Sequence, residues 1–261
     1  MKNLQERIQR ILSEQDGNWG VAFRDLATDQ TVYVNEDHRF GAASIIKIPI
    51  MMEIYRQADQ GILSLSEHLI LDAKDVVGGC GVLQGMQPGL SLTIRDAIVL
   101  MITISDNTAT NMLIDRVGID SVNRLIRDLG AEQSVLRRKL MMTELMRQGI
   151  KNELTPKEVL LFLDLLAKIQ FLHEKPCMDM IEILKLQQLN HKIPLLLPDE
   201  VVVAHKTGED SGITHNAGIL YYKEQVMTMC VLSEGVSDTV KGHYAIAQMA
   251  KAAFEEILAP K

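Results

Sequence analysis

The chain has 261 residues, 47% of them hydrophobic and 23% charged, which is the composition of a folded globular protein rather than a disordered one. This length favours one large domain or two closely coupled lobes. The formal net charge of −7 and the pI of about 5.5 argue against a nucleic-acid-binding protein, which usually carries a basic stripe on its surface.

The predicted elements begin with a polar, amphipathic helix over residues 1–14. This segment lacks the apolar core of a signal peptide, and no apolar stretch is long enough to span a membrane. We therefore expect this chain to be soluble. Its cellular compartment is left undetermined, because a signal peptide could have been removed from the sequence. A hairpin follows, with strands at 19–26 and 31–35 around a turn at 27–30.

A strongly apolar helix is predicted over 44–55, and Pro49 within it indicates a kink or a position in the first turn. Further helices are predicted through the middle of the chain, at 93–101, 107–117, 121–129, 155–169 and 178–188. The helix at 155–169 begins with Thr155 as a candidate N-cap ahead of Pro156, a proline at the first helical position.

Strands return near the C-terminus, at 200–205, 217–222 and 226–232, and a final helix is predicted over 244–258. Strands at both ends with helices between them predict an α/β fold: an antiparallel sheet built from both termini and flanked by helices, with an inserted all-α lobe. We expect a single domain over 1–261, in which 1–43 and 197–261 form the α/β lobe and 44–196 form the helical lobe.

Three cysteines, Cys80, Cys177 and Cys230, are odd in number and far apart, so they predict neither a disulfide framework nor a metal site. We expect all three to be buried free thiols. His205 and His215 lie on predicted strands, and no cluster of His, Cys or Asp has the spacing of metal ligands. The sequence therefore predicts no metal and no other cofactor, and we expect a monomer.

The first candidate catalytic segment is Ser44-Ile-Ile-Lys47, which follows small residues at 41–43. Residues three apart share a face of a helix, so the lysine amine can lie within hydrogen-bond reach of the serine hydroxyl. If burial lowers the pKa of the lysine, its amine can take the serine proton. Alone, this pattern more often marks a surface serine beside a solvated lysine, but the apolar residues on both sides disfavour that alternative.

Two further segments have residue types that bind amides and carboxylates. Ser105-Asp106-Asn107 lies between two predicted helices, where serine could relay a proton and asparagine could hold a carbonyl; alone, it also fits a helix N-cap. Lys206-Thr207-Gly208 ends a predicted strand, where a cation and a hydroxyl could hold a carboxylate and glycine would let a ligand lie against the strand. All three segments occur once and in this order.

Together the three segments resemble the signature of class A β-lactamases and penicillin-binding proteins. The residues at 81–84, 88–97 and 105–111 are similar to the class A sequence as well, and the similarity extends over roughly 15–255. The resemblance implies a β-lactamase/transpeptidase-like fold. It also implies a serine hydrolase that opens the β-lactam ring through an acyl-enzyme.

The resemblance also implies roles for single residues. Ser44 would be acylated, Lys47 would help to activate it, and Ser105 would pass a proton to the leaving nitrogen. The backbone N–H groups of Ser44 and Glu209 would form the oxyanion hole, although the family usually has a small residue where this chain has Glu209. The expected substrate-binding residues are Asn107, Lys206, Thr207, Gly208, Glu209 and His215. His215 would be a cation for the substrate carboxylate, and the alternative is a strand histidine satisfied by its neighbours.

The sequence departs from the family's pattern at the step of deacylation. Class A enzymes use a loop glutamate, followed four residues later by asparagine, to activate the hydrolytic water. Between 129 and 156, Glu144 is the best candidate by position, but Gln148 stands four residues after it and Asn152 lies too far along. We take Glu144 as the candidate base, with an ordinary carboxylate on a helix surface as the alternative.

Three functions stay open. The chain could be a β-lactamase that acylates at Ser44 and hydrolyses the acyl-enzyme with the help of Glu144. It could be a penicillin-binding D-alanyl-D-alanine peptidase or a related amidase that deacylates slowly from β-lactams. It could also be a sensor that traps its ligand covalently, although the intact motifs argue against an inactive scaffold. In each case the partner is a small-molecule β-lactam or a peptide-like amide, and not a nucleic acid or a membrane.

Overall fold

The computed structural model describes residues 2–258; Met1, where the predicted N-terminal helix begins, and 259–261 lie outside the described residues. Within 2–258 the α-helices are α1 (Lys2–Ser13), α2 (Lys47–Asp59), α3 (Ile94–Thr103), α4 (Asn107–Val117), α5 (Ile119–Asp128), α6 (Thr143–Arg147), α7 (Pro156–Ala167), α8 (Glu174–Lys185) and α9 (Thr239–Ala253). The strands are β1 (Asn18–Asp25), β2 (Thr31–Val34), β3 (Phe40–Gly41), β4 (His68–Ile70), β5 (Ser91–Thr93), β6 (Glu153–Leu154), β7 (Val202–Asp210), β8 (Ile213–Tyr222) and β9 (Gln225–Glu234).

The central feature is a five-stranded antiparallel sheet with the strand order β2-β1-β9-β8-β7. The N-terminal hairpin supplies β1 and β2, and the C-terminal part of the chain supplies the other three strands. The predicted α/β fold, with one sheet built from both termini, is therefore confirmed. Side chains alternate between the two faces of the sheet: in β9, Met229 and Val231 pack on one face, while Cys230 and Leu232 pack on the other.

Helices cover both faces of this sheet. On one face α1 and α9 pack together over side chains such as Leu4, Trp19 and Ile246. On the other face α7 lies against β1 and β9, and a larger core continues from there into α2, α3, α4, α5 and α8. Helix α2 is central to this core, and ten of its 13 residues are buried. A helix that is buried along most of its length needs apolar residues on most sides, and its polar residues Glu53, Arg56 and Gln57 bond to one another.

Two helices start at threonine caps, and the sequence predicts the cap at Thr155. The Thr93 side chain accepts a hydrogen bond from the backbone N–H of Asp96, and the Asp96 carboxylate accepts one in return, which makes a capping box at the start of α3. Thr155 caps α7, with Pro156 at the first helical position. Pro49 lies in the first turn of α2, one of the two positions that the sequence allows.

Several element boundaries differ from the prediction. Strand β7 runs on to Asp210, so Lys206-Thr207-Gly208 lies inside a strand and not at its end. Its partner β8 begins at Ile213 rather than at 217, because the two strands stay paired along this extension. Helix α8 begins at Glu174 rather than at 178. Helix α9 begins at Thr239 rather than at 244, because the Asp238 side chain caps it by accepting from two N–H groups of the first turn.

The sequence analysis missed two pairs of short strands. Strand β4 pairs with β5, and β3 pairs with β6 through the partners Phe40 and Leu154. Strands of two or three residues are too short to show a period of two, so the sequence gives no signal for them. The β3–β6 pair is important for the site because it holds the end of the loop at 129–155 beside the segment that leads to Ser44.

The cysteines differ from one another in exposure. Cys177 and Cys230 are buried free thiols, as expected, but Cys80 is exposed, so the expectation of three buried thiols is wrong for Cys80. Cys80 belongs to an irregular segment that ends in a 3₁₀ turn at Leu83–Gly85, of which only Leu83 is buried. Within 2–258, none of the helices is long and apolar enough to cross a membrane.

Candidate active site

Ser44 lies where an extended segment enters the buried central helix. It belongs to a 3₁₀ turn, Ala43–Ile46, that leads directly into α2, whose first residue is Lys47. Ala43 has a φ of 40°, a left-handed conformation that residues other than glycine rarely adopt. The chain therefore bends sharply just before Ser44, and the helix that follows fixes the serine and the lysine relative to each other.

Lys47 is completely buried, and its amine contacts the segment at 105–107. The Nζ atom lies 2.8 Å from the carbonyl oxygen of Ser105, 2.9 Å from Ser105 Oγ and 3.0 Å from Asn107 Oδ1. Ser105 Oγ lies 2.8 Å from Ser44 Oγ. Among the side-chain hydrogen bonds of residues 2–258, none joins the Lys47 amine directly to the Ser44 hydroxyl. The direct contact that the sequence predicts is thus replaced by a relay of two hydrogen bonds through Ser105.

The charge state of Lys47 follows from its surroundings. Burial lowers the pKa of Lys47 to about 7, because an apolar environment disfavours the charged form. Cys80 and Asp106 act in the opposite direction, with a smaller effect. A neutral amine is therefore available near neutral pH, and it can accept a proton.

Ser105 is held in a strained backbone conformation. Its φ is 59°, which is left-handed and costs a residue with a Cβ atom roughly 1–2 kcal/mol. Asp106 stabilises the turn: Oδ1 accepts from the N–H of Ala109 at 2.9 Å and so caps α4, and Oδ2 accepts from the N–H groups of Val82 at 2.7 Å and Leu83 at 2.9 Å. The strained serine is therefore fixed between a helix start and a second loop, which orients its hydroxyl.

The close approach of these two loops explains why residue 81 is a glycine. Gly81 has a φ of 111°, and a Cβ atom there would lie 2.2 Å from Asp106 Oδ2. No side chain fits in this position. Gly81 therefore allows the close approach of the loop at 78–85 to the start of α4, where Asn107 also donates to the carbonyl of Gly78 at 3.2 Å.

Strand β7 passes behind Ser44 with its three motif residues buried. Lys206 Nζ donates to the carbonyl of Thr207 at 2.8 Å. Burial lowers the pKa of Lys206 well below its ordinary value, and the nearby amines of Lys47 and Lys192 lower it further. A Cβ atom on Gly208 would lie 3.2 Å from the Cβ of His215 and 3.3 Å from the side chain of Ile45, so a glycine lets the strand lie close to the turn that carries Ser44.

His215 is fully buried and has both ring nitrogens in use. Nε2 donates to the carbonyl of Gly41 at 2.8 Å, and Nδ1 accepts from the N–H of Ser233 at 3.0 Å. Burial lowers the pKa of His215 to about 4, so the ring is neutral at physiological pH. The structure therefore does not support His215 as a cation for the substrate; the ring joins β8 to β9 and to the segment before Ser44.

The Glu209 carboxylate lies among cationic and imidazole groups at the edge of the sheet. Its Oε1 atom lies 2.9 Å from His191 Nε2, 3.0 Å from Lys192 Nζ and 3.2 Å from His243 Nε2. Burial acts to raise the pKa of Glu209, but Lys192 and His191 outweigh it and lower the pKa to about 2. Glu209 is therefore ionised, and its side chain is directed to this cluster.

A cavity of about 650 Å³ opens beside Ser44. On one side lie Ser44 and Asn107, with Lys47, Ser105 and β7 directly behind them; we call this side the polar wall. On the other side lies the loop at 137–152, which we call the loop wall. Its side chains in the cavity include Leu140, Met141 and Met146, together with Arg138, Lys151 and Asn152. Within 129–155, which is described throughout, no carboxylate lines the cavity.

Glu144 lies on the outer side of the loop wall. Its side chain is 73% exposed, accepts a hydrogen bond from Gln148 Nε2 at 3.2 Å and lies 3.7 Å from an Arg147 nitrogen. It is not among the residues that line the cavity. The structure therefore gives no support to Glu144 as the base for deacylation, and agrees with the alternative of a surface carboxylate on a short helix.

Two asparagines hold the loop wall in place, and the sequence analysis missed both of these roles. Asn152 Oδ1 accepts from the N–H groups of Arg137 and Arg138 at 2.8 and 3.0 Å, and its Nδ2 donates to the carbonyl of Arg138 at 3.0 Å. Asn111 makes two similar bonds with the backbone of Leu140. Nothing in a single sequence distinguishes these asparagines from surface ones, because their partners are backbone atoms.

The comparisons with known proteins agree with this arrangement. The Beta-lactamase enzyme family matches residues 3–257. The β-lactamase VEB-1 of Pseudomonas aeruginosa is 24% identical over 220 residues, which are 82% of this chain and 73% of that protein. The solved β-lactamase of Sphaerobacter thermophilus has a TM-score of 0.92 at 31% identity and covers 100% of this chain and 99% of its own. The solved structure of PBP-A has a TM-score of 0.90 at 27% identity, with 98% and 96% covered. The chain therefore belongs to the Beta-lactamase enzyme family.

Proposed function

We propose that this protein hydrolyses β-lactams through an acyl-enzyme on Ser44. The observation that carries the proposal is the relay from Ser44 Oγ through Ser105 Oγ to Lys47 Nζ, with distances of 2.8 and 2.9 Å. It ends at a buried amine whose pKa is about 7. A serine becomes a nucleophile when a neighbouring base can remove its proton, and this relay supplies such a base.

The bonding of a neutral Lys47 fits this role. A neutral amine has two N–H groups and one lone pair. The N–H groups can donate to the Ser105 carbonyl and to Asn107 Oδ1, which only accept. The lone pair is then left for the Ser105 hydroxyl, and the Ser105 oxygen is left for the Ser44 hydroxyl. With a charged Lys47 the amine donates to Ser105 Oγ and Ser105 donates to Ser44 Oγ; loss of the lysine proton lets both hydroxyls turn, so that each proton then points towards the base.

The acylation step uses this relay in both directions. Ser44 Oγ attacks the lactam carbonyl carbon, and its proton passes through Ser105 to Lys47. As the carbon–nitrogen bond breaks, a proton returns through Ser105 to the leaving nitrogen, so that Lys47 is neutral again. The backbone N–H groups of Ser44 and Glu209, which both line the cavity, would stabilise the oxyanion; one such donor is typically worth about 3–4 kcal/mol of barrier.

The substrate carboxylate would bind at β7. Lys206 and Thr207 lie behind the polar wall, and Gly208 lets the strand pack closely against the turn that carries Ser44. The Lys206 amine is buried with two other amines near it and no carboxylate in contact, so an incoming carboxylate would supply the countercharge that it lacks. This favours substrates that carry an anionic group, as penicillins do, and Asn107 would hold their side-chain amide.

For hydrolysis of the acyl-enzyme we assign the base to Lys47 acting through Ser105, and we assign no part to Glu144. After acylation the amine is neutral again, and it can take a proton from a water molecule that attacks the ester. The loop wall offers Leu140, Met141 and Met146 and no carboxylate, so it supplies no second base for the water. We therefore expect deacylation to be slower than acylation.

One observation favours a second candidate. The same apolar loop wall would suit an enzyme whose acyl-enzyme with β-lactams is long-lived, such as a penicillin-binding D-alanyl-D-alanine peptidase. PBP-A, which shares the fold at 27% identity, has a name of that kind. The two candidates share acylation at Ser44 and differ only in the lifetime of the ester.

Intact-mass spectrometry during exposure to benzylpenicillin tests both steps. We expect the protein mass to increase by one penicillin per chain within seconds to minutes, and then to return fully to its starting value as penicilloate is released. The Ser44→Ala variant should show no adduct, and its hydrolysis of nitrocefin should fall by about 10⁶-fold, the effect of removing a serine nucleophile. An adduct that persists for hours would favour the peptidase or sensor, and no adduct at all would contradict acylation at Ser44.

A further inference from the structure

Three side chains from distant parts of the sequence meet at the edge of the sheet. His191 lies just after α8, Glu209 lies near the end of β7, and His243 lies in the first half of α9. One imidazole nitrogen from each histidine and one carboxylate oxygen lie within 4.8 Å of one another. The sequence predicts no metal site here, because residues 191, 209 and 243 show no ligand spacing in the chain.

The two imidazole rings converge on the same carboxylate. Their centroids are 4.6 Å apart, and the Nε2 atoms of His191 and His243 lie 2.9 and 3.2 Å from Glu209 Oε1. Three ligands of a tetrahedral Zn²⁺ ion, at bond lengths of 2.0–2.1 Å, are roughly 3.3 Å apart. The observed distances to the carboxylate are close to this value, so small side-chain movements would bring all three atoms to one ion.

His243 supplies an independent indication of a ligand. Its Nε2 atom is buried and makes no hydrogen bond, because its approach to Glu209 lacks the necessary alignment. A buried polar atom without a partner is destabilising, and it usually indicates a function or a bound group. Unlike His243, His191 makes an aligned hydrogen bond to the carboxylate, so the histidine that gains most from an ion is His243.

We propose that His191, Glu209 and His243 bind a Zn²⁺ ion. Two imidazoles and one carboxylate form a ligand set typical of zinc sites that keep a fourth position open. Lys192 does not prevent this, because the amine also donates to the carbonyls of Gly208 and His215 at 3.1 Å. Lys192 and both histidines contact the same oxygen, Glu209 Oε1, so this oxygen would face the ion and a rotation of the carboxylate would bring its second oxygen to Lys192.

The position of the site gives it access to solvent and places it next to the cavity. The side chains of His191 and Glu209 are 42% and 47% exposed, so an ion can enter without opening the core. Glu209 also lines the cavity beside Ser44. Metal binding itself requires only these three side chains, and it is therefore independent of the function proposed above.

Isothermal titration calorimetry with ZnCl₂ tests the site on the full chain, without a polyhistidine tag and after removal of metal with EDTA. We expect one Zn²⁺ per chain, and the Ser44→Ala variant should bind in the same way. His243→Asn and His191→Asn should each weaken binding by at least about 10-fold, the lower end of what the loss even of an outer-shell partner costs. Co²⁺ in place of Zn²⁺ should give the visible absorption of a tetrahedral site.

His173→Asn is the matched control, because His173 pairs with one carboxylate, Asp59 at 3.0 Å, and belongs to no cluster of three possible ligands within 2–258. It should bind Zn²⁺ like the wild type. Thermal unfolding in EDTA checks that each variant is folded, and Zn²⁺ should raise the Tm of the wild type and of His173→Asn but not that of His243→Asn. The proposal is overturned if the wild type binds no stoichiometric Zn²⁺, or if neither His191→Asn nor His243→Asn weakens its binding.

Discussion

The polar wall and the loop wall face the same cavity and are built in opposite ways. In the polar wall, functional side chains are buried and bonded to each other: Lys47, Ser105 and Asn107 are joined by contacts of 2.8 to 3.0 Å. In the loop wall, hydrogen bonds of Asn111 and Asn152 hold the backbone, while the side chains that reach the cavity include the apolar Leu140, Met141 and Met146.

This difference separates the two halves of the reaction. In the proposed mechanism the polar wall supplies a nucleophile, a base and a relay, which is what the formation of an acyl-enzyme requires. The loop wall has no carboxylate that could activate the water molecule for hydrolysis of the ester. Acylation therefore depends on a preorganised network, and hydrolysis of the ester has to reuse the same network. Each wall can be tested by changing one residue that belongs to it.

After the loss of Ser44 itself, the largest effect is expected for Lys47→Met, which keeps the apolar stem and removes the base. The acylation rate should fall by about 10²–10⁴-fold, the usual contribution of general base catalysis. In the wild type the rate should rise with pH and level off above about 7, because the neutral amine is the active form and burial lowers the pKa of Lys47 to about 7. Stopped-flow measurements with nitrocefin from pH 5 to 9 give both results.

The pH profile distinguishes a base from a residue that only supports the fold. In Lys47→Met the step near pH 7 should disappear, and circular dichroism should show that the variant is folded. A wild-type rate that is flat from pH 5 to 9, or a variant that keeps the step, would show that Lys47 is not the group that titrates.

A smaller effect concerns the strain stored in the polar wall. Ser105→Ala and Ser105→Gly both remove the relay hydroxyl, so both should slow acylation to a similar extent. Only alanine keeps a Cβ atom at a φ of 59°, and glycine should therefore be more stable by about 1 kcal/mol. For a chain of this size that difference is about 2–4 °C in Tm, which differential scanning calorimetry resolves. Equal Tm values for the two variants would contradict backbone strain at this position.

The polar wall was largely predictable because its signals are local. Ser44 and Lys47 share one helical segment, and 105–107 and 206–208 are short motifs whose residue types already indicate their chemistry. The family, the fold class and the sheet built from both termini are confirmed by the structure and the comparisons. The relay through Ser105 was not predicted, because it depends on the left-handed conformation of one residue.

The loop wall was not predictable because its contacts join side chains to backbone atoms across the fold. Asn152 has the residue type of any surface loop, and its three bonds to 137–138 depend on the bridge between Val135 and Glu153, which brings the two ends of the loop together. The same holds for the cluster of His191, Glu209 and His243, which needs β7 and α9 side by side. By its position in the sequence Glu144 is the candidate base for deacylation, whereas in the fold its side chain lies on the outer side of the loop.

The smallest effect is expected for Glu144→Gln, and it tests the loop wall most directly. Because this carboxylate is 73% exposed and lies outside the cavity, deacylation of benzylpenicillin should change by less than about twofold and Tm by no more than about 1–2 °C. Asn152→Ala is the contrasting variant: it removes three buried hydrogen bonds and should lower the free energy of unfolding by about 1–3 kcal/mol. Decay of the acyl-enzyme by intact mass, together with urea unfolding, measures both variants. If Glu144→Gln instead lengthened the lifetime of the acyl-enzyme by tenfold or more, the loop would have to fold inward during turnover, and the base would belong to the loop wall after all.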